Sequence, residues 1–106
     1  MKVIFIRHAK SSWHQPILED HDRPLNDRGQ KDAPNMGLRL KQNGYIPEAI
    51  YTSTALRALR TASLISEAIS FGKSLKKHPE LYHASASQLL KFVRNIPDKY
   101  DLVYLV

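Results

Sequence analysis

Short apolar bursts alternate along this chain with longer stretches in which hydrophobic residues recur every three or four positions. Val3-Ile4-Phe5-Ile6 is a β-branched, apolar run that predicts a buried strand, and Arg7-His8 ends it. Residues 8–25 are polar and carry Pro16 and Pro24, which predicts a long loop of a length that is often functional in compact domains. Asn26 is placed to cap a helix with Asp27 in its first turn. Ala33, Met36, Gly37 and Leu40 share one face of that helix, Pro34 bends it or marks a broken first turn, and Asn43-Gly44 stops it.

The alternation continues downstream. Ala49-Ile50-Tyr51-Thr52 predicts a second strand between Pro47 and Ser53. Leu56, Leu59, Ala62, Ser63, Ile65 and Ile69 trace the apolar stripe of a second helix, with Gly72 as its stop signal. Ser74–His78 is a candidate third strand before Pro79. Ser85 or Ser87 then caps a helix that turns Leu89, Leu90, Phe92, Val93 and Ile96 inward. Asp101–Val106 reads as a final, almost wholly apolar strand. Strands alternating with helices predict an α/β fold with a largely parallel sheet. A continuous apolar strand is usually buried on both faces, yet no covering helix follows this one. The expectation is therefore an uncovered C-terminal strand, and self-association through it.

Composition narrows the class. With 106 residues the chain is expected to form one domain over 1–106. Its net charge is +6, but Lys and Arg are spread evenly and Lys76-Lys77 is their only adjacent pair. Even spreading favours anionic substrates or plain solvation over a nucleic-acid arm, and no nucleic-acid motif accompanies the charge. Without cysteine there is neither a disulfide framework nor a thiolate metal site. The first apolar run is too short for a signal peptide or a membrane span. The expectation is a soluble, cytoplasmic protein with no nucleic-acid or membrane partner.

Chemistry concentrates where predicted strands end. Ligands of open α/β sheets bind outside the carboxyl ends of the strands. Arg7 and His8 offer there a fixed cation and an imidazole that can attack or shuttle protons, although a histidine at such a place is more often structural. At Ser53–Ala62 a strand runs at once into a helix, whose N-terminus favours anions. Arg57 lies in the first turn of that helix, either pointing into the same region or solvated. Arg60, a turn later, reads as surface. His14, Asp20, His21 and Asp22 fit no standard metal-ligand spacing and read as a polar loop, so neither metal nor cofactor is expected.

Arg7-His8-Ala9-Lys10-Ser11-Ser12-Trp13-His14 resembles the Arg-His-Gly signature of the histidine phosphatase superfamily, which includes the cofactor-dependent phosphoglycerate mutases. Arg23-Pro24-Leu25 followed by Arg28-Gly29 resembles the segment leading into that family's first helix. Ser53–Ala62 resembles its second-arginine motif, and the combination is most similar to the small phosphohistidine phosphatase branch. The resemblance implies a three-layer α/β/α fold with a mostly parallel sheet. It also implies a metal-independent phosphatase in which His8 is the nucleophile and Arg7 and Arg57 clamp phosphate oxygens. Arg23, His14, Ser11 and His83 would then bind substrate, either a phosphorylated protein carrying phosphohistidine or a small phosphorylated molecule.

Departures from the pattern qualify what is implied. Ala9 stands for the commoner glycine, and His14 stands where phosphoglycerate mutase relatives carry an asparagine. The family's proton-donating glutamate has no clear match: Glu80 is near, and His83 or Ser85 nearer. In the family, a strand like Asp101–Val106 leads into a glycine and a second histidine. None of the five histidines (8, 14, 21, 78, 83) occupies that position, so the chain is expected to be a C-terminally incomplete form, truncated before that motif. Two alternatives follow, an impaired phosphatase and a non-catalytic phosphate- or phosphoprotein-binding module. Basic nucleic-acid binding rests on charge alone.

Overall fold

The computed structural model describes residues 1–7 and 24–106. Four strands, β1 (Lys2–Phe5), β2 (Ala49–Thr52), β3 (Lys76–Lys77) and β4 (Leu102–Leu105), form one sheet in the order β1-β4-β2-β3. Every pairing in it is parallel. Three helices connect them: α1 (Asp27–Gln42), α2 (Leu56–Ala68) and α3 (Ala86–Arg94).

Strand order dictates the layers. The crossovers from β1 to β2 and from β2 to β3 travel the same way across the sheet, whereas β3 to β4 returns. Right-handed crossovers therefore put α1 and α2 on one face and α3 on the other. The side chains agree. Ile50, Leu102 and Tyr104 pack with Ala62, Ile65 and Ile69 of the α2 region, while Tyr51, Val103 and Leu105 pack with Ile96, Phe92 and Val93 of the α3 region. The result is a three-layer α/β/α arrangement.

Local sequence accounts for most element ends. Asn26 caps α1, its side chain accepting from the Gly29 amide at 2.8 Å, and Pro34 sits inside the 16-residue helix without ending it. After Asn43, Gly44 takes a left-handed φ of 84°. The amides of Gly44 and Tyr45 then bond back to Lys41 and Leu40, a Schellman ending. Ser85, not Ser87, caps α3 in a reciprocal capping box with Gln88. Gly37 lets α1 lie close on α2, since a Cβ there would meet Ile65 Cγ2 at 3.0 Å.

Several expectations need correction. The last strand is not uncovered. β4 is buried along its whole length, hydrogen-bonded to β1 on one side and β2 on the other, with side chains packed into both faces. The premise for self-association through it is therefore gone. β3 is only two residues long, because its exposed lysines have nothing to bury. Leu56 and Leu90 fit the helical stripes but are exposed, since α2 and α3 each cover the sheet on one side only. The stop of α2 is not Gly72 but Ser70, which takes the left-handed φ of 54° while the Phe71 amide bonds to Ser66. Of the long loop expected over 8–25, residues 8–23 lie outside the described residues.

Two predictions follow from this packing. A serine in the left-handed region is strained where glycine is not. Ser70→Gly should stabilise the fold by about 0.5–1 kcal/mol, the strain relief slightly outweighing the added unfolded-state entropy. A lower urea midpoint in the variant would contradict it. The second concerns Tyr104, fully buried, whose hydroxyl donates to the Tyr45 carbonyl and whose pKa burial pushes up to about 12. Between pH 10 and 12 the unfolded tyrosine loses its proton and the folded one keeps it, so stability is intact below pH 10 and falls as pH rises. Tyr104→Phe should be less stable by about 1 kcal/mol at pH 8, with the gap narrowing above pH 10. A gap that stays constant to pH 11.5 in thermal melts would refute the assignment.

Candidate functional site

The carboxyl ends of β1, β4 and β2 lie side by side, so the residues that follow each strand converge. Ile6 extends the β1 ladder, its amide bonding to Leu105 at 2.8 Å, and delivers Arg7 to the sheet's end. Val106 extends β4, its amide bonding to Tyr51 at 2.9 Å. Ser53 ends β2, and its hydroxyl accepts from the Ala55 amide at 3.0 Å, turning the chain sharply into α2. The N-cap Ala55 supplies no side-chain acceptor to the first-turn amides of that helix. Their partial positive charge faces the same space.

Arg57 is the second residue of α2, and only 6% of it is exposed. This settles its position: it is not a solvated helix arginine. Its guanidinium lies 5.9 Å from the centre of the Tyr82 ring, a cation–π contact that helps hold a buried charge. Thr61, one turn on, donates to the Arg57 carbonyl at 2.7 Å and so fastens the same turn of helix. Arg60 is exposed, as expected of a surface residue.

Tyr82 and His83 form the opposite wall. They follow a single 3₁₀ turn, Pro79–Leu81, anchored where the His78 amide bonds to the Thr52 carbonyl at 2.9 Å. His83 takes a left-handed φ of 52°, and its ring lies 4.2 Å from that of Tyr82. Non-glycine residues held in that region concentrate at functional sites.

These elements enclose a cavity of about 170 Å³ in which Arg7, Arg57 and His83 meet, with Ser53 and Tyr82 completing its polar lining. No carboxylate appears among the described lining residues. His8, Ser11, His14 and Arg23 lie outside the described residues. Glu80 is not in the cavity. It is exposed, and its carboxylate pairs with His78 Nδ1 at 3.0 Å. Hydrogen bonding to its own backbone amide and to the His78 side chain holds its pKa below the usual carboxylate value.

Sequence reasoning missed Tyr82 and the structural part played by Ser53. Ser53 was legible as a polar residue at a strand-to-helix junction. Tyr82 was not, because its role depends on a turn that folds back across the sheet end. Chemically, the cavity offers two guanidinium groups, an imidazole, a helix N-terminus and a phenol ring, a set suited to a compact oxyanion such as phosphate.

Known proteins share this fold and parts of this sequence. The protein named as the phosphohistidine phosphatase SixA of Agrobacterium tumefaciens superposes with a TM-score of 0.88 at 30% identity, over 98% of this chain and 66% of its own. An uncharacterized chloroplastic protein of Arabidopsis thaliana is 33% identical over 104 residues, covering 94% of this chain and 48% of that relative. The 2,3-bisphosphoglycerate-dependent phosphoglycerate mutase of Streptomyces avermitilis is 40% identical over 68 residues, 62% of this chain and 27% of the mutase. The chain thus spans half or less of the length of these two curated relatives. The model of the histidine phosphatase superfamily (branch 1) matches residues 3–91, so the cavity walls from Arg7 to His83 all fall within it, and the chain belongs to that superfamily.

Proposed function

We propose that this chain carries the phosphoryl-transfer site of a metal-independent phosphatase acting on phosphohistidine or another labile phosphate. The observation that carries this reading is the convergence of Arg7 and Arg57 on one cavity without a described carboxylate, in a member of the histidine phosphatase superfamily. His8 follows Arg7 directly, which favours it as the nucleophile. A ring nitrogen of His8 attacks phosphorus while the bond from phosphorus to the leaving nitrogen or oxygen breaks. The leaving group departs with that electron pair and takes up a proton. Water then attacks the phosphohistidine, releasing inorganic phosphate and restoring the imidazole.

Arg7 and Arg57 would hold the nonbridging oxygens in both steps, where negative charge builds. Arg57 is the more constrained of the two, because burial and the Tyr82 contact fix its fork before substrate arrives. His83 would contact the substrate beyond the phosphoryl group. Glu80 is poorly suited to supply the leaving-group proton, being ionised and paired outside the cavity. A phosphoramidate, whose leaving nitrogen carries its own proton readily, suits such a site better than an alkyl ester.

Turnover of phosphoramidate by the chain tests the reading, with saturable phosphate affinity and no product marking a binding module instead. His8→Gln should abolish both turnover and acid-labile phosphoryl labelling; labelling that survives would remove His8 as nucleophile. Arg57→Ala should lower kcat/KM by roughly 10²–10³. Arg57→Lys should recover only a small part of that loss, since an ammonium cannot reproduce the planar fork. Because Arg57 is buried, melting curves of both variants must show a folded protein at the assay temperature. A near-normal rate in Arg57→Ala would exclude the clamp.

A further inference from the structure

A second, larger cavity of about 560 Å³ opens between α3 and the β2–β3 side of the sheet. Among the described residues it shares only Leu81 with the lining of the arginine cavity. Its floor is aromatic. The Tyr51 and Phe92 rings meet edge to face at 5.5 Å, and the His78 ring stands 5.0 Å from Phe92 and 5.6 Å from Tyr51. The aliphatic side chains of Leu81 and Ile96 close the base. The cavity persists because α3 is short and amphipathic, and because β3 ends after two residues. The helix therefore covers β2 but does not reach over the exposed edge strand β3.

The mouth differs in kind from the floor. Lys76 of β3 and Lys91 of α3 stand on its rim, both exposed, and neither makes an ion pair among the described residues. Among the described residues the one carboxylate at the rim, Glu80, is already engaged by His78 at 3.0 Å. An apolar, ring-lined recess of this size with a few polar groups at its edge is the usual form of a small-molecule site. Two lysines set against one engaged carboxylate make that edge electropositive.

We propose that this cavity is a binding site for a small organic anion with a flat apolar body. Its rings would stack against Tyr51, Phe92 and His78, and its acidic group would lie between Lys76 and Lys91. The site is separate from the arginine cavity and does not depend on the phosphatase reading. A compact inorganic oxyanion would suit it less well, because it could not use the apolar surface of Phe92, Leu81 and Ile96. The two cavities therefore select different ligands, a small hard anion in one and an amphipathic one in the other.

The test uses 8-anilinonaphthalene-1-sulfonate with the whole chain, followed by fluorescence titration and by NMR of the aromatic side chains. Saturable one-to-one binding is expected, with shifts on the Tyr51, Phe92 and His78 ring signals, and with no displacement by inorganic phosphate. The double charge reversal Lys76→Glu, Lys91→Glu should weaken binding by about tenfold or more. Both side chains are exposed, so the variant should melt as the parent does; Lys91→Gln supplies a milder change should it not. The uncharged analogue N-phenyl-1-naphthylamine should bind parent and variant alike. The proposal fails if the sulfonate does not saturate, if phosphate displaces it, if the ring shifts fall on aromatic residues other than Tyr51, Phe92 and His78, or if charge reversal leaves its affinity unchanged.

Discussion

β4 bonds along both of its edges, to β1 through the register Val3↔Val103 and to β2 through Ala49↔Val103. That double pairing is the constraint on which the other elements depend. Its side chains alternate between two cores, Leu102 and Tyr104 toward α1 and α2, Val103 and Leu105 toward α3. A buried strand can satisfy its amides and carbonyls only through such neighbours. Because β1 and β2 are both registered on it, Arg7 and the start of α2 arrive at the same end of the sheet. The arginine cavity is thus a product of sheet register as much as of the residues that line it.

The cavity also gathers positive groups on one wall. Arg57 places a buried cation at the N-terminus of α2, where the helix dipole is itself positive. The Tyr82 ring offsets part of this, and the left-handed backbone at His83 adds local strain to the same wall. On the function proposed above, an oxyanion in the cavity would meet the Arg7 and Arg57 guanidinium groups and the helix N-terminus together.

Much of this was legible in the residues, and the exceptions share a physical cause. Asn26, Asn43-Gly44 and Ser85 act on their own backbone, so the ends of α1 and the start of α3 could be read locally. Ala49–Thr52 was equally plain between Pro47 and Ser53. Leu56 and Leu90 misled because periodicity reports which residues share a face, not how far the neighbouring layer extends. The central place of β4 was hidden because strand order arises from contacts remote in sequence. For the site, Arg7, Arg57 and His83 were recognisable as candidates from their neighbours in the chain. Their meeting, and the burial of Arg57 against Tyr82, depends on the Pro79–Leu81 turn crossing the sheet end, which no local pattern encodes.

The sheet order also sets a sequence of events in assembly. Among the described residues the only strand beside β1 is β4, and their paired positions, such as Lys2 and Leu102, stand about a hundred residues apart. Closing so long a loop is entropically slow and rewarded late. The stretch from α1 through α2 can form contacts between near neighbours well before that. On a ribosome, β1 would emerge ahead of β2, β3 and β4 and wait for β4, its described sheet neighbour, longer than those strands wait for theirs. Among the four described strands, the one that presents Arg7 is then the last to find its partner, and the two arginines converge only once β1 and β4 have paired.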